Sequence, residues 1–272
     1  MSKEIVKEFY GADGHDEFNR LNKDAFHRLE LNTTLYFLEK YLPTTGHILD
    51  AGGGPGRYSL ELAQKGYEIT HLDIIPSYNE YTKRILAENN LSNRLVDSIT
   101  GDICNLHRFA DNSFDGVICL GGPLSHVVDK EEQEKAVSEL IRVAKPDSYI
   151  FCSVIGRLAL LKSCFNRFPT EMTEDAFLLY RDTGDYHGHR GFTACHFFLV
   201  ADLRKLFERN DVEIISMVGL EGLSSSDRAA YNELYENYKA AFEIWWQTHL
   251  QYCTHSAVVD TSEHILIICR KK

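Results

Sequence analysis

This 272-residue chain has no C-x-x-C pair, no apolar run of membrane-spanning length and no internal cluster of Lys and Arg. Each absence removes a class of protein. The seven cysteines (Cys104, Cys119, Cys152, Cys164, Cys195, Cys253, Cys269) are scattered and odd in number. They make neither a disulfide framework nor a structural zinc module, and read as reduced core thiols of a cytoplasmic protein. Without some twenty consecutive apolar residues no helix spans a bilayer, so no membrane partner is expected. The opening MSKEIVKEFY has no signal-peptide pattern, which also points to the cytoplasm. Positive charge is scarce: 29 Lys and Arg against 40 Asp and Glu leave a net charge of −11. The one basic run is Arg270–Lys272, so a nucleic-acid backbone is not the expected partner. Internal repeats and low-complexity segments are also missing. Apolar residues are not: at 44% they suffice for the core of one large domain with insertions.

The most informative stretch is His47–Gly56, HILDAGGGPG. Ile48 and Leu49 end a short apolar run that Asp50 closes. Gly52, Gly53, Gly54 and Gly56 follow, and then RYSLELAQK (Arg57–Lys65) reads as a helix. Strand, Gly-rich turn and helix N-terminus together form a ligand cradle, because glycine allows close backbone approach and the first-turn N–H groups are free. A dinucleotide fingerprint needs G-x-G-x-x-G. Counted from Gly52 the sixth residue is Arg57, and from Gly54 it is Ser59, so neither register fits. A carboxylate at Asp50 also suits a ligand that is cationic at that end better than a pyrophosphate.

Asp50-x-Gly52-x-Gly54-x-Gly56 resembles the D-x-G-x-G-x-G signature of class I S-adenosylmethionine-dependent methyltransferases. The resemblance runs from about Tyr41 to Ile155, plus the last strand. It implies an α/β, Rossmann-like seven-stranded sheet with an antiparallel last strand lying between the fifth and sixth. It also implies S-adenosylmethionine as cofactor.

The rest of the chain fits that expectation. YEITHL (Tyr67–Leu72) reads as the second strand and ends at Asp73, where an acid can accept from both ribose hydroxyls, with Ile74 beside it. Pro76 opens the next helix, with Tyr78, Tyr81 and Ile85 facing inward. A third strand is expected near Leu95–Thr100. After it the resemblance assigns Asp102 to the adenine amino group and Ile103 to the ring. Phe114–Leu120 is apolar enough for a strand covered on both faces. It leads into Gly121-Gly122-Pro123-Leu124-Ser125-His126 at the carboxyl end of the sheet, where open α/β folds bind ligands. Leu120 and Gly121 therefore belong with the cofactor residues. A periodic helix through Ala136–Ala144, a turn at Lys145–Ser148 and a fifth strand at Tyr149–Ile155 complete the core.

The domain reading is a single unit, 1–272. Residues 1–42 form an N-terminal helical lid, 43–155 the cofactor core, 156–198 an inserted cap and 199–272 the remainder, with a helical insertion at 221–257. Phe18, Leu21, Ala25 and Leu29 keep helical spacing, and so do Leu31, Leu35, Leu38 and Leu42 up to Pro43. Lid helices of related enzymes lie over the cofactor, which brings Tyr10, Arg20 and His27 forward as site residues. Ordinary surface packing is the alternative for each. Val212–Val218 and His264–Cys269 read as the last two strands. Tyr231, Leu234, Tyr235, Tyr238, Phe242, Trp245 and His249 read as one long aromatic-faced helix.

Methyl transfer from a sulfonium needs positioning and desolvation more than a fixed triad. For a hydroxyl or protonated amine a general base helps. His126 is the first candidate, since it follows the fourth strand, and His196 the second; a structural histidine is the alternative for both. The loop Leu120-Gly121-Gly122-Pro123 lacks the [D/N]-P-P-[Y/F] of nucleic-acid amino methylation, and Leu120–His126 has no carboxylate for a divalent cation. His187, His189, His196 and Cys195 match no recognised zinc spacing, so no metal is assigned. Cys119, Cys152 and Cys195 raise arsenic methylation but fit no spacing for it. The resulting expectation is a metal-independent methyltransferase acting on a small molecule, with the oligomeric state open. The alternatives are a non-catalytic or partner-dependent cofactor-binding subunit, and a dinucleotide oxidoreductase.

Overall fold

In the computed structural model, which describes every residue except Met1, Ala12, Asp13, His189 and Arg190, the Gly-rich stretch follows the first strand of a seven-stranded sheet. Helices α1 (Ser2–Tyr10), α2 (Gly14–Asn19) and α3 (Ala25–Tyr41) precede β1 (His47–Ala51). Strand and helix then alternate: α4 (Arg57–Gln64), β2 (Glu68–Asp73), α5 (Pro76–Glu88), β3 (Leu95–Thr100), β4 (Phe114–Cys119), α6 (Lys130–Val143) and β5 (Ala144–Ile155). Next come α7 (Arg157–Arg167), α8 (Asp175–Asp182) and a small hairpin, β6 (Asp185–Tyr186) with β7 (Cys195–His196). The chain closes with α9 (Val200–Glu208), β8 (Val212–Gly219), α10 (Arg228–Asn237), α11 (Lys239–Tyr252), α12 (Ser256–Val259) and β9 (His264–Lys271).

The strand order is β3-β2-β1-β4-β5-β9-β8. The first five strands are parallel, and β9 runs antiparallel between β5 and β8, which is the expected seven-stranded arrangement. The order reverses between β1 and β4, and the crevice beyond their carboxyl ends is where such sheets place ligands. Alternate side chains sort onto two apolar faces. Leu49, Val117 and Cys152 pack toward α6 and α9, with Leu140 and Phe207. Ile48, Ile118 and Phe151 pack toward α3, α4 and α5, with Leu38, Leu62 and Leu86. Complete burial of a side chain as large as Phe151 contributes about 1.5–3 kcal/mol. Nothing comparable favours leaving either face of these strands in water.

Three local readings change. The stripe Phe18–Leu29 does not lie on one helix, because Asp24 starts a new one: its side chain accepts the His27 N–H at 2.9 Å as an N-cap. The aromatic stripe of 221–257 is broken at Tyr238 (φ −133°, ψ 60°). The break lets both Tyr231 on α10 and Trp245 on α11 turn onto Phe26 and Leu29 of α3. The turn at Lys145–Ser148 sits inside β5 as an irregularity. Asp147 has φ +62°, and the pairing with β4 jumps from Ala144 to Tyr149.

Candidate active site

The ends of β1, β2 and β4 and the lid helices enclose one cavity. β2 contributes most through alternation, since His71 and Asp73 stand on the same face of the strand. The Asp73 Oδ2 accepts the Gly54 N–H at 2.8 Å and its Oδ1 accepts Ile75 N–H at 2.9 Å. His71 Nε2 meets the Gly54 carbonyl at 2.9 Å. Both edges of the Gly54 residue are therefore held by β2. Gly54 has φ +57°, and a Cβ there would meet open space, so the backbone is bare toward the cavity. Burial raises the Asp73 carboxyl to about 6 and depresses the His71 imidazole to about 4.

The other end of the cavity is set by the turn after β4. Gly121 and Gly122 have φ +80° and +92°, which turn the chain into a 3₁₀ segment, Pro123–His126. His126 Nδ1 lies 3.0 Å from the Ala194 carbonyl, which can only accept, so Nδ1 carries the proton. Nε2 is then an acceptor, and the Tyr10 hydroxyl donates to it at 3.3 Å. Burial depresses the His126 imidazole, opposed by the Ala194 bond, which keeps the ring neutral near pH 7.

Of the residues singled out from the sequence, Gly52, Gly53, Gly54, Asp73, Ile74, Asp102, Ile103, Leu120 and Gly121 line this cavity. Tyr10, Arg20 and His126 join them. Four others stand elsewhere. Asp50 lies beneath Gly53, fully buried; its Oδ2 accepts from the Ser59 hydroxyl at 2.7 Å, and burial raises its carboxyl to about 7. It braces the start of α4 and does not face the ligand space as the sequence suggested. Gly56 packs against Thr82, where a Cβ would come within 2.5 Å of Oγ1, so it serves the turn and not the cavity. His27 is held by Asp24 Oδ1 at 2.7 Å. His196 faces a different cavity altogether, because β7 turns it away while presenting the Ala194 carbonyl to His126. His189 and Arg190 lie outside the described residues.

Lys3, Glu17 and Tyr58 also line the cavity, and the sequence did not single them out. Lys3 Nζ bridges Asp102 at 2.6 Å and Glu132 at 2.7 Å, closing α1 over the cavity. No local signal links residue 3 to residue 102. Arg20 is held by Glu17 at 2.8 Å and Glu30 at 2.9 Å. Behind them, burial alone would depress His264, but Glu30 and Glu221 lift it to about 9. Its Nδ1 lies 2.7 Å from Glu221, just beyond β8, and 3.5 Å from Glu30 of α3, so His264 on the last strand backs Glu30 and, through it, Arg20.

Comparison with known proteins decides what this cavity belongs to. A family described as "Methyltransferase domain" matches residues 48–147, the segment from β1 into β5 that builds the cavity's inner wall. Residues 48–147 are a methyltransferase domain, of the class I S-adenosylmethionine-dependent type. A demethylmenaquinone methyltransferase of Leptospira interrogans is 28% identical over 149 residues, covering 54% of this chain and 58% of that protein. The chain spans about half the length of the curated relatives it matches. Among solved structures, an S-adenosylmethionine-dependent methyltransferase of Methanosarcina mazei has a TM-score of 0.61 at 22% identity, covering 86% of this chain and 96% of that one. The 1,6-didemethyltoxoflavin-N1-methyltransferase of Burkholderia thailandensis, solved with its substrate and S-adenosylhomocysteine, has a TM-score of 0.59 at 12% identity, covering 99% and 88%. At these identities the two structures share the fold.

S-adenosylmethionine is the cofactor of this family, and the groups around the cavity fit it. The backbone at Gly54 is bare, and Tyr58 lines the cavity with a buried hydroxyl that has no partner among the described residues.

Proposed function

We propose that this chain transfers the methyl group of S-adenosylmethionine to a small-molecule acceptor without a metal ion. The observation that carries the proposal is the double hold on Gly54, which fixes a bare backbone edge beside a carboxylate that faces the cavity. Asp73 would accept from the ribose hydroxyls, Asp102 and Ile103 would frame the adenine, and Arg20 and Tyr58 would meet the amino-acid end. When bound, the sulfonium supplies an activated methyl group. The protein's part is to align the partners, exclude water and manage one proton. The cleft suits that work, since α1 closes its mouth and its apolar wall includes Val6, Leu21 and Leu120. His126 Nε2 would take the proton of a hydroxyl or ammonium acceptor, directly or through the Tyr10 hydroxyl that now donates to it.

A small-molecule acceptor is favoured by the closed cleft, the net charge of −11 and relatives named for quinone and glycine methylation. Metal independence is favoured by the turn Leu120–His126, which offers no carboxylate. Of the cavity's acids, Asp102 is paired with Lys3, which also holds Glu132 outside the lining.

The test is a metabolite-extract screen with methyl-labelled cofactor, run with and without a chelator. Label transferred equally in both arms is the expected result. Transfer lost on chelation overturns metal independence. No transfer to any fraction, despite measured cofactor binding, overturns the enzymatic reading.

A further inference from the structure

On another side of the sheet, α6, α9 and the β6–β7 hairpin enclose a second cavity of about 200 Å³. His196 forms its floor and is only 4% exposed. The His196 Nδ1 lies 2.6 Å from the Asp185 Oδ1. A carboxylate can only accept, so Nδ1 holds the proton and Nε2 presents a lone pair to the cavity. Among the described residues no donor meets that nitrogen. A ligand with an acidic O–H can donate to it.

The rim narrows the choice. Of its two acids, Glu134 is paired with Arg209 and Asp202 faces the Arg157 guanidinium at 3.9 Å. Lys130 and Lys205 also line the cavity, and neither makes a salt bridge among the described residues. Two free ammonium groups above one buried lone pair call for negative oxygens and a retained proton on the same group.

We propose that this cavity binds a protonated phosphate group, with Lys130 and Lys205 on its anionic oxygens and its P–O–H donating to His196 Nε2. Sulfate has the same shape and charge but no proton to give at neutral pH. Inorganic phosphate and the monoprotonated phosphate of an ester share the required chemistry. The position has a consequence for the cleft: His196 stands two residues beyond Ala194, whose carbonyl holds His126.

Titration calorimetry of the full chain with inorganic phosphate, sulfate and glycerol phosphate tests the assignment. Phosphate should bind at least tenfold more tightly than sulfate at neutral pH. Lys130→Ala/Lys205→Ala, at two exposed positions, should weaken phosphate at least tenfold. His196→Phe should abolish the preference over sulfate. Glycerol phosphate, measured below its second pKa of about 6, separates the two sources: binding tighter than phosphate identifies an ester as the occupant, and weaker binding identifies the free ion. Sulfate binding as tightly as phosphate, or phosphate binding unchanged in the double lysine variant, overturns the proposal. None of these readouts requires methyl transfer, so their failure is distinct from failure of the enzymatic reading.

Discussion

Single residues in this protein trade stability for charge placement, and Asp50 shows it most plainly. Its carboxyl is fully buried with one oxygen unmatched, and burial raises it from 3.8 to about 7. Because the folded-state pKa lies above the unfolded one, the folded form holds an extra proton in that window. Stability is therefore lost as pH rises from about 4 to about 7. Asp50→Asn keeps an acceptor for Ser59 and removes the buried charge. It should stabilise the protein at pH 8 by on the order of 2–4 kcal/mol and hardly at all near pH 4, as read by urea denaturation at both pH values. A variant no more stable than wild type at pH 8 would show that the carboxylate is compensated there. At the other end of the cavity, His126→Ala should lower transfer to a hydroxyl acceptor by about 10²–10⁴-fold while S-adenosylhomocysteine affinity stays within about twofold. The acid limb of the wild-type rate profile, set by an imidazole depressed from its usual pKa of about 6.5, should vanish with it. Equal rates would leave His126 a pocket-shaping residue.

At the scale of elements, α1 is the part of the cavity wall with the least support of its own. Over its nine residues it is tied to the core at Lys3, which bridges Asp102 and Glu132, and at Tyr10, which donates to His126. Lys3 draws the Glu132 carboxyl down to about 2, with Lys135 helping. The two acids beside it repel any anion put in place of Lys3. Lys3→Glu should therefore release the helix: its amides should exchange severalfold faster, while protection of β1 and β4 stays unchanged. Equal exchange rates would mean that apolar contacts such as Val6 hold α1 by themselves. The contrast with α3 is instructive. That helix is capped by Asp24 and buries Phe26, Leu29, Phe37 and Leu38, so it belongs to the core although it precedes the first strand.

For the molecule as a whole, the cavity joins segments far apart in the chain: Lys3 with Asp102, Tyr10 with His126, Arg20 and Glu30 with His264. A ligand seated against Lys3, Tyr10, Arg20, Asp102 and His126 is coupled to global unfolding. S-adenosylhomocysteine at about a hundred times its Kd should stabilise the fold by about 2.7 kcal/mol, a rise in Tm of about 5–8 °C. NAD should cause none, because the glycine spacing does not fit it. A matching rise with NAD in a thermal-shift series would overturn the cofactor assignment.

What could be read from the residues alone was whatever depends on neighbours in sequence. The alternation of strand and helix, the apolar runs of β1, β4 and β5 and the glycine turn at Gly52–Gly56 are all local, set by periodicity and by backbone freedom. They sufficed for the sheet, the cofactor and most of the singled-out residues that line the cavity, down to Asp73 and Asp102. The facing of side chains needed the tertiary structure. Asp50 turned under the loop and not into it, because Ser59 on the following helix offered its hydroxyl. His196 was turned from the cleft by a two-residue strand, too short to show any period. Lys3 reached Asp102 across about a hundred residues, a pairing that depends on how α1 packs and on no pattern along the chain.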